Sequence, residues 1–271
     1  MATSRESTVD IAGKRLSYLS AGDEGPPVLL LHGFGADRLT WLLTQRDVAS
    51  YAATVAIDLP GHGQSDRAIG EGGIAALTDL VAGFLKLRDA GPVHVVGHSL
   101  GGAVAIDLAH RHPDLVASLF LLAPAGVGQG IDTGFLSALT EMETLDEASA
   151  VLERLVERKR LISPQMTARA LAQISEPGAR EALRKVAGHL ETAHFDMAEA
   201  VAGIGKRGLP VTVVWGANDL VNPLAEEAAG ALGARLHVVE NTGHLPHIES
   251  HPEVNALIRA FLAEANGDAA G

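Results

Sequence analysis

Hydrophobic and polar positions follow two rhythms along the chain. Val28–His32 is a continuous apolar run closed by Gly33, the pattern of a strand buried on both faces. Ala53–Ile57, Val93–Gly97, Ala117–Ala123, Val211–Trp215 and Arg235–Val239 repeat it. Ser7–Ile11 and Arg15–Leu19 flank Ala12-Gly13-Lys14 and predict an opening hairpin. Between the strands the spacing turns helical. Gly73–Arg88 carries Leu77, Leu80, Val81, Phe84 and Leu87 on one face, and Leu39–Tyr51, Gly101–Arg111, Leu224–Leu232 and Pro252–Ala265 are further helices. Strands alternating with helices predict an α/β fold, a mostly parallel eight-stranded sheet with helices on both faces.

The alternation lapses after Pro124. From Ala125 to Arg207 the patterning is helical throughout, with helices predicted at Leu136–Met142, Asp146–Arg160, Pro164–Ile174, Gly178–Leu190 and Ala193–Ile204. Residues 1–271 therefore read as a single domain, with a core of 1–124 and 208–271 and an insertion at 125–207. The ligand crevice of an open α/β sheet lies outside the carboxyl ends of its strands. An insertion leaving from such an end is placed to roof it, so 125–207 is expected to be a helical cap.

Composition narrows the classes. The formal net charge of −12 lacks the electrostatic footprint of a nucleic-acid or anionic-membrane binder. There is no cysteine, which excludes disulfides, thiolate metal sites and a Cys nucleophile. An apolar fraction of 47% is ample for a large core. The first seven residues have no apolar core that could serve as a signal peptide. The apolar stretch Leu115–Val127 is too short to span a bilayer. A cytoplasmic protein is expected, monomeric or homodimeric, with a small molecule rather than nucleic acid or membrane as its partner.

Chemistry concentrates at four strand ends. Gly97-His98-Ser99-Leu100-Gly101 falls at a strand-to-helix turn, where small residues two before and two after the Ser permit a sharp, strained turn that exposes its hydroxyl. A Ser hydroxyl needs a base, and the base an orienting carboxylate. His244, in Asn241-Thr242-Gly243-His244, and Asp219, in Gly216-Ala217-Asn218-Asp219, each follow a predicted strand and share the sheet edge of Ser99. Backbone N–H groups of Leu100 and of Phe34, in His32-Gly33-Phe34-Gly35, are positioned to form an oxyanion hole. Asp58 and Glu240 are rival acids and His247 a rival base; Asp58 is followed by the rigid Pro60-Gly61 turn, and His247 by position starts the last helix. Arg158-Lys159-Arg160 reads as a solvated helix face, with recognition of an anionic substrate or a partner domain as the alternative. No His pair is spaced for a metal, and no cofactor is implied.

These segments, with Asp58-Leu59-Pro60-Gly61-His62-Gly63-Gln64-Ser65 and Gly243–Glu249, together resemble the α/β-hydrolase superfamily over about residues 8–265. More narrowly, His32–Gly35 through Trp41, Ala123-Pro124-Ala125-Gly126 and Lys159-Arg160-Leu161-Ile162-Ser163 resemble the α/β-hydrolase-type domain of acetoin dehydrogenase acetyltransferase components. Those components carry an N-terminal lipoyl domain, whereas here the hydrolase pattern starts almost at once. The resemblance implies a serine hydrolase that forms an acyl-enzyme from a small to medium ester, lactone or thioester. The alternatives are an acyltransferase passing the acyl group to a thiol or alcohol, and a carbon–carbon bond hydrolase. Carbon–carbon bond hydrolases of this fold often carry Asn before the Ser and Trp after the base; here those positions are His98 and Leu245. Gly33, His98, Phe135, Met142, Leu220 and Leu245 are the expected substrate-lining positions.

Overall fold

The computed structural model describes residues 4–191 and 196–267. Its elements run β1 (Arg5–Ile11), β2 (Lys14–Ala21), β3 (Pro27–Leu31), α1 (Leu42–Val48), β4 (Ala53–Ile57), α2 (Ile74–Leu87), β5 (Val93–His98), α3 (Leu100–Arg111) and β6 (Val116–Leu122). There follow α4 (Thr133–Glu141), α5 (Leu145–Glu153), α6 (Pro164–Ser175), α7 (Ala179–Leu190) and α8 (Ala198–Arg207). The chain then returns through β7 (Val211–Gly216), α9 (Glu226–Ala231), β8 (Arg235–Val239), α10 (Pro246–Glu249) and α11 (His251–Ala265). The eight strands form one sheet in the order β1-β2-β4-β3-β5-β6-β7-β8. β1 and β2 pair antiparallel, as does β2 with β4, and every other pair is parallel.

The continuous apolar runs are explained by two cores, one on each face. Along β3, Val28 and Leu30 enter a cluster with Trp41, Val48, Phe120, Ile258 and Phe261, beneath α1 and α11. Leu29 and Leu31 enter the opposite cluster with Leu77, Val81, Val104 and Leu108 of α2 and α3. Successive side chains of a strand point to opposite faces, so a strand covered on both sides must be apolar at every position. Each large side chain fully buried in this way contributes about 1.5–3 kcal/mol of transfer free energy.

Helices α4 to α8 all lie between β6 and β7, the interval where the sequence pattern lapses. Two boundaries there depart from expectation. The helix predicted over Asp146–Arg160 stops at Glu153, and only a 3-10 turn forms at Lys159–Leu161. The N–H groups of Glu157 and Arg158 donate instead to the Glu249 carboxylate, which draws that stretch out of the helix. The helix predicted over Ala193–Ile204 is seen as α8, Ala198–Arg207, with Met197 at its N-cap; positions 193–195 of that prediction lie outside the described residues. Among the described residues no helix is long and apolar enough to cross a membrane.

Candidate active site

Ser99 sits between β5 and α3 with φ +50° and ψ −114°, a backbone conformation that non-glycine residues rarely hold. Its N–H is fixed to the Leu122 carbonyl at 2.9 Å. The flanking glycines are there for space. A Cβ on Gly97 would lie 2.6 Å from the Gly101 carbonyl oxygen, and one on Gly101 would lie 2.3 Å from that of Leu31. The strand can turn back into the helix only because neither position carries a side chain.

Asp219 and His244 arrive on the loops after β7 and β8. Asp219 Oδ2 stands 2.7 Å from His244 Nδ1, and both side chains are buried. The carboxylate cannot swing. Its Oδ1 accepts the N–H groups of Val221 and Asn222, each at 2.9 Å, and its Oδ2 also accepts Trp215 Nε1–H at 3.1 Å. Asn222 in turn donates to the carbonyls of Ala123 and Pro124, both at 3.0 Å, tying the acid's loop to the end of β6. A carboxylate so held fixes the proton of His244 on Nδ1 and leaves Nε2 as the basic nitrogen.

The loop after β3 closes over Ser99. A Cβ at Gly33 would lie 3.3 Å from Ser99 Cβ and 2.6 Å from His98 Nδ1, so the loop reaches the turn only through a glycine. Among the described residues neither the Phe34 nor the Leu100 amide donates to another protein group, which leaves both N–H groups for a ligand. His32 braces this loop: its ring Nδ1 is 2.8 Å from the Gly33 carbonyl and its Nε2 accepts the Leu59 N–H at 2.9 Å. Leu139 of α4 packs against Gly35 from above. A cavity of about 20 Å³ remains between α4, α6, α7 and the core, lined by Gly35, His62, Leu139, Met142, Ile174 and Leu183. A larger cavity of about 430 Å³ opens at the other end of the sheet, among Tyr18, Val28, Thr54, Phe84 and Arg88. It touches none of the loops described above.

The alpha/beta hydrolase family profile matches residues 28–257. The dihydrolipoyllysine-residue acetyltransferase component of the acetoin cleaving system of Cupriavidus necator is 33% identical over 253 residues, spanning 93% of this chain and 68% of that protein. The chain belongs to the α/β hydrolase family. Its fold recurs in an enol-lactonase from Burkholderia xenovorans, with a TM-score of 0.82 and 23% identity over 95% of this chain and 100% of that one. It recurs equally in a meta-cleavage product hydrolase from Pseudomonas fluorescens, with a TM-score of 0.82 and 24% identity over 96% of this chain and 98% of that one.

One of the substrate-lining positions expected in this α/β hydrolase is corrected by the structure. His98 is buried behind the site: its Nε2 lies 2.8 Å from the His244 carbonyl, and its ring packs 4.8 Å from that of His244 and 4.7 Å from that of His247. Burial, helped by the two neighbouring imidazoles, pushes His98 well below its ordinary pKa, so it is a neutral brace. Leu220 is 72% exposed. Phe135, Met142 and Leu245 are all buried, Phe135 and Met142 in the main apolar cluster and Met142 also beside the small cavity.

Asp58 and His247 are occupied elsewhere. Asp58 accepts the N–H groups of Arg38 at 2.8 Å and Gln64 at 2.7 Å and pairs with the Arg38 guanidinium. His247 faces Thr40 Oγ1 at 3.2 Å, with its pKa pushed down to about 3 by burial. Trp215, Asn222 and Glu249 were not singled out from the sequence of this α/β hydrolase. Only Trp215 had a visible signal, as the polar-tipped residue closing a buried strand. Among the described residues no group of three His, Asp or Glu side chains could hold a metal ion.

Proposed function

We propose that this α/β hydrolase is a serine hydrolase that cleaves a small to medium carboxylic ester, lactone or thioester through an acyl-enzyme. The observation that carries the reading is the buried 2.7 Å contact between Asp219 and His244 on the same sheet edge as a Ser held at φ +50°. Ser99 Oγ attacks the acyl carbon while His244 Nε2 takes its proton. The N–H groups of Phe34 and Leu100 bind the oxyanion, and His244 returns the proton to the departing alkoxide or thiolate. Water, deprotonated by the same nitrogen, then releases the acid.

A fluorophosphonate probe tests the nucleophile. Wild type is expected to label and Ser99→Ala to lose the label; label retained in Ser99→Ala would remove Ser99 from the reaction. A panel of esters and thioesters of graded acyl length then defines the substrate. Acyl transfer to a thiol is the second reading, favoured by the 33% identity to the Cupriavidus necator acetyltransferase component. Product formed with and without an added thiol acceptor separates the two, since transfer requires the acceptor to appear in the product.

A further inference from the structure

Glu249 stands on α10, five residues after His244, and its carboxylate is wholly buried. Oε2 accepts the N–H of Gly243 at 2.6 Å and that of Glu157 at 3.0 Å. Oε1 accepts the N–H of Arg158 at 2.9 Å and faces Arg158 Nε at 3.4 Å. Arg158 also donates to the backbone carbonyl of Glu249. One carboxylate thus joins the residue just before His244 to two residues that lie 91 and 92 positions earlier than Glu249, in the stretch between α5 and α6. The two backbones also touch. A Cβ on Gly243 would fall 2.9 Å from both Glu157 N and the Leu155 carbonyl oxygen.

The donors are mostly backbone N–H groups, so the carboxylate fixes where the chain runs and not merely a side-chain rotamer. That matters for the base. Its bond to Asp219 pins one ring atom, about which the imidazole can still pivot. The direction of Nε2 is settled only when the backbone carrying His244 is also held. A reacting group misplaced by about 1 Å can cost about 10²-fold in rate.

We propose that Glu249 is a positioning residue that couples the α5–α6 stretch to the His244 loop, so that His244 keeps its aim at Ser99 only while that stretch is docked. The inference rests on the assignment of Ser99, His244 and Asp219 made above. A displacement of the insertion at this point withdraws the base, and the insertion is part of the catalytic machinery as well as a roof.

The test is Glu249→Gln in the full chain. The variant keeps the volume and one carbonyl acceptor but turns an NH₂ group onto N–H donors. Three quantities are read: the rate constant for fluorophosphonate labelling of Ser99, kcat and KM on an ester that wild type cleaves, and the melting midpoint. Labelling and kcat are expected to fall by about 10- to 100-fold with KM within about threefold, and Glu249→Asp, which keeps both acceptors, to recover part of the loss. Ile204→Ala, a core truncation in α8, is the control that lowers the midpoint without slowing labelling. A Glu249→Gln protein that melts earlier yet labels and turns over as wild type does would overturn the inference. Arg158→Met decides the matter if that variant does not fold, because it cuts the guanidinium contacts from the insertion's side only. It is expected to lower both rates by about 3- to 10-fold, and wild-type rates there would sink the coupling. If wild type itself fails to label at Ser99, the catalytic assignment falls and takes this inference with it; a labelled wild type beside indifferent Glu249 and Arg158 variants removes the positioning role alone.

Discussion

The loops at the carboxyl ends of the strands and the inserted helices above them are held by different chemistry. In the loops, buried carboxylates collect backbone N–H groups: Asp58 holds Arg38 and Gln64, Asp219 holds Val221 and Asn222, and Glu249 holds Gly243, Glu157 and Arg158. Elsewhere in the insertion the grips are long arginines, partly in water. Arg154 reaches Asp132, Arg184 reaches Glu141, and Arg169 crosses to Asp37 of the core. A backbone donor aimed at a buried carboxylate has almost no freedom to lose and no water to compete with it. An exposed arginine has both. The sheet-edge loops are therefore held more tightly than these parts of the insertion.

The largest effect expected from breaking the rigid half is at Asp219. Asp219→Asn replaces an acceptor with an amide that can turn a donor toward His244 Nδ1, so the ring loses its reason to keep the proton there. Measured on an ester turned over by wild type, kcat is expected to drop by about 10³- to 10⁴-fold. The fold should survive, because the amide oxygen can still serve Val221 and Asn222. A loss smaller than tenfold would mean that something other than Asp219 orients the base.

Acid should next separate the two regions. Burial holds His62 and His247 at about 3, and it lowers His32 and His98 as well; all four belong to the loops around the site or to the segments that carry them. In the unfolded chain these rings regain a pKa near their ordinary 6.5. Between about 3 and 6.5 the unfolded state thus binds more protons than the native state. Stability rises with pH in that window and is lost as pH falls through it, by about 1.4 kcal/mol per pH unit for each ring that stays neutral. Denaturant melts at about pH 7 and about pH 5 check this: a midpoint that does not move would show that these imidazoles accept protons inside the native fold.

The same division marks what could be read from the chain. The strands were legible because a strand buried on both faces is apolar at every position, and Val28–Leu31 declares this locally. The strained turn at Ser99 was legible because its glycines stand at fixed offsets. Asp219 and His244 could be picked out because each follows a strand end. The end of α5 could not be read. Leu145–Glu153 keeps helical spacing beyond Glu153, and what stops it is a carboxylate on α10 that the local pattern cannot reveal. His98 misled for a similar reason: adjacency to the nucleophile suggested a substrate contact, but the direction of its ring depends on the His244 carbonyl, 146 residues away. Short-range pattern reports the elements, while the contacts that aim the catalytic groups are long-range and polar.

The smallest effects should come from the inserted helices, and they grade with burial. Asp37 is buried and caps the 3-10 turn at Arg38–Trp41 through the Leu39 N–H at 2.9 Å, while also taking Gln173 Nε2 at 2.5 Å and the Arg169 guanidinium. Arg169→Met takes one cation from a carboxylate that keeps its other two donors, so the cost is about 1 kcal/mol, since Arg169 is itself half exposed and solvent screens the pair. Arg184→Ala removes an ion pair to Glu141 in which both partners are open to solvent, and the melting midpoint should not move. Because Arg169 ties α6 to the core and Arg184 only joins α7 to α4, KM should change in Arg169→Met and stay constant in Arg184→Ala, with kcat constant in both. A drop in kcat with Arg169→Met would mean that the roof, at that corner too, takes part in aiming the catalytic groups.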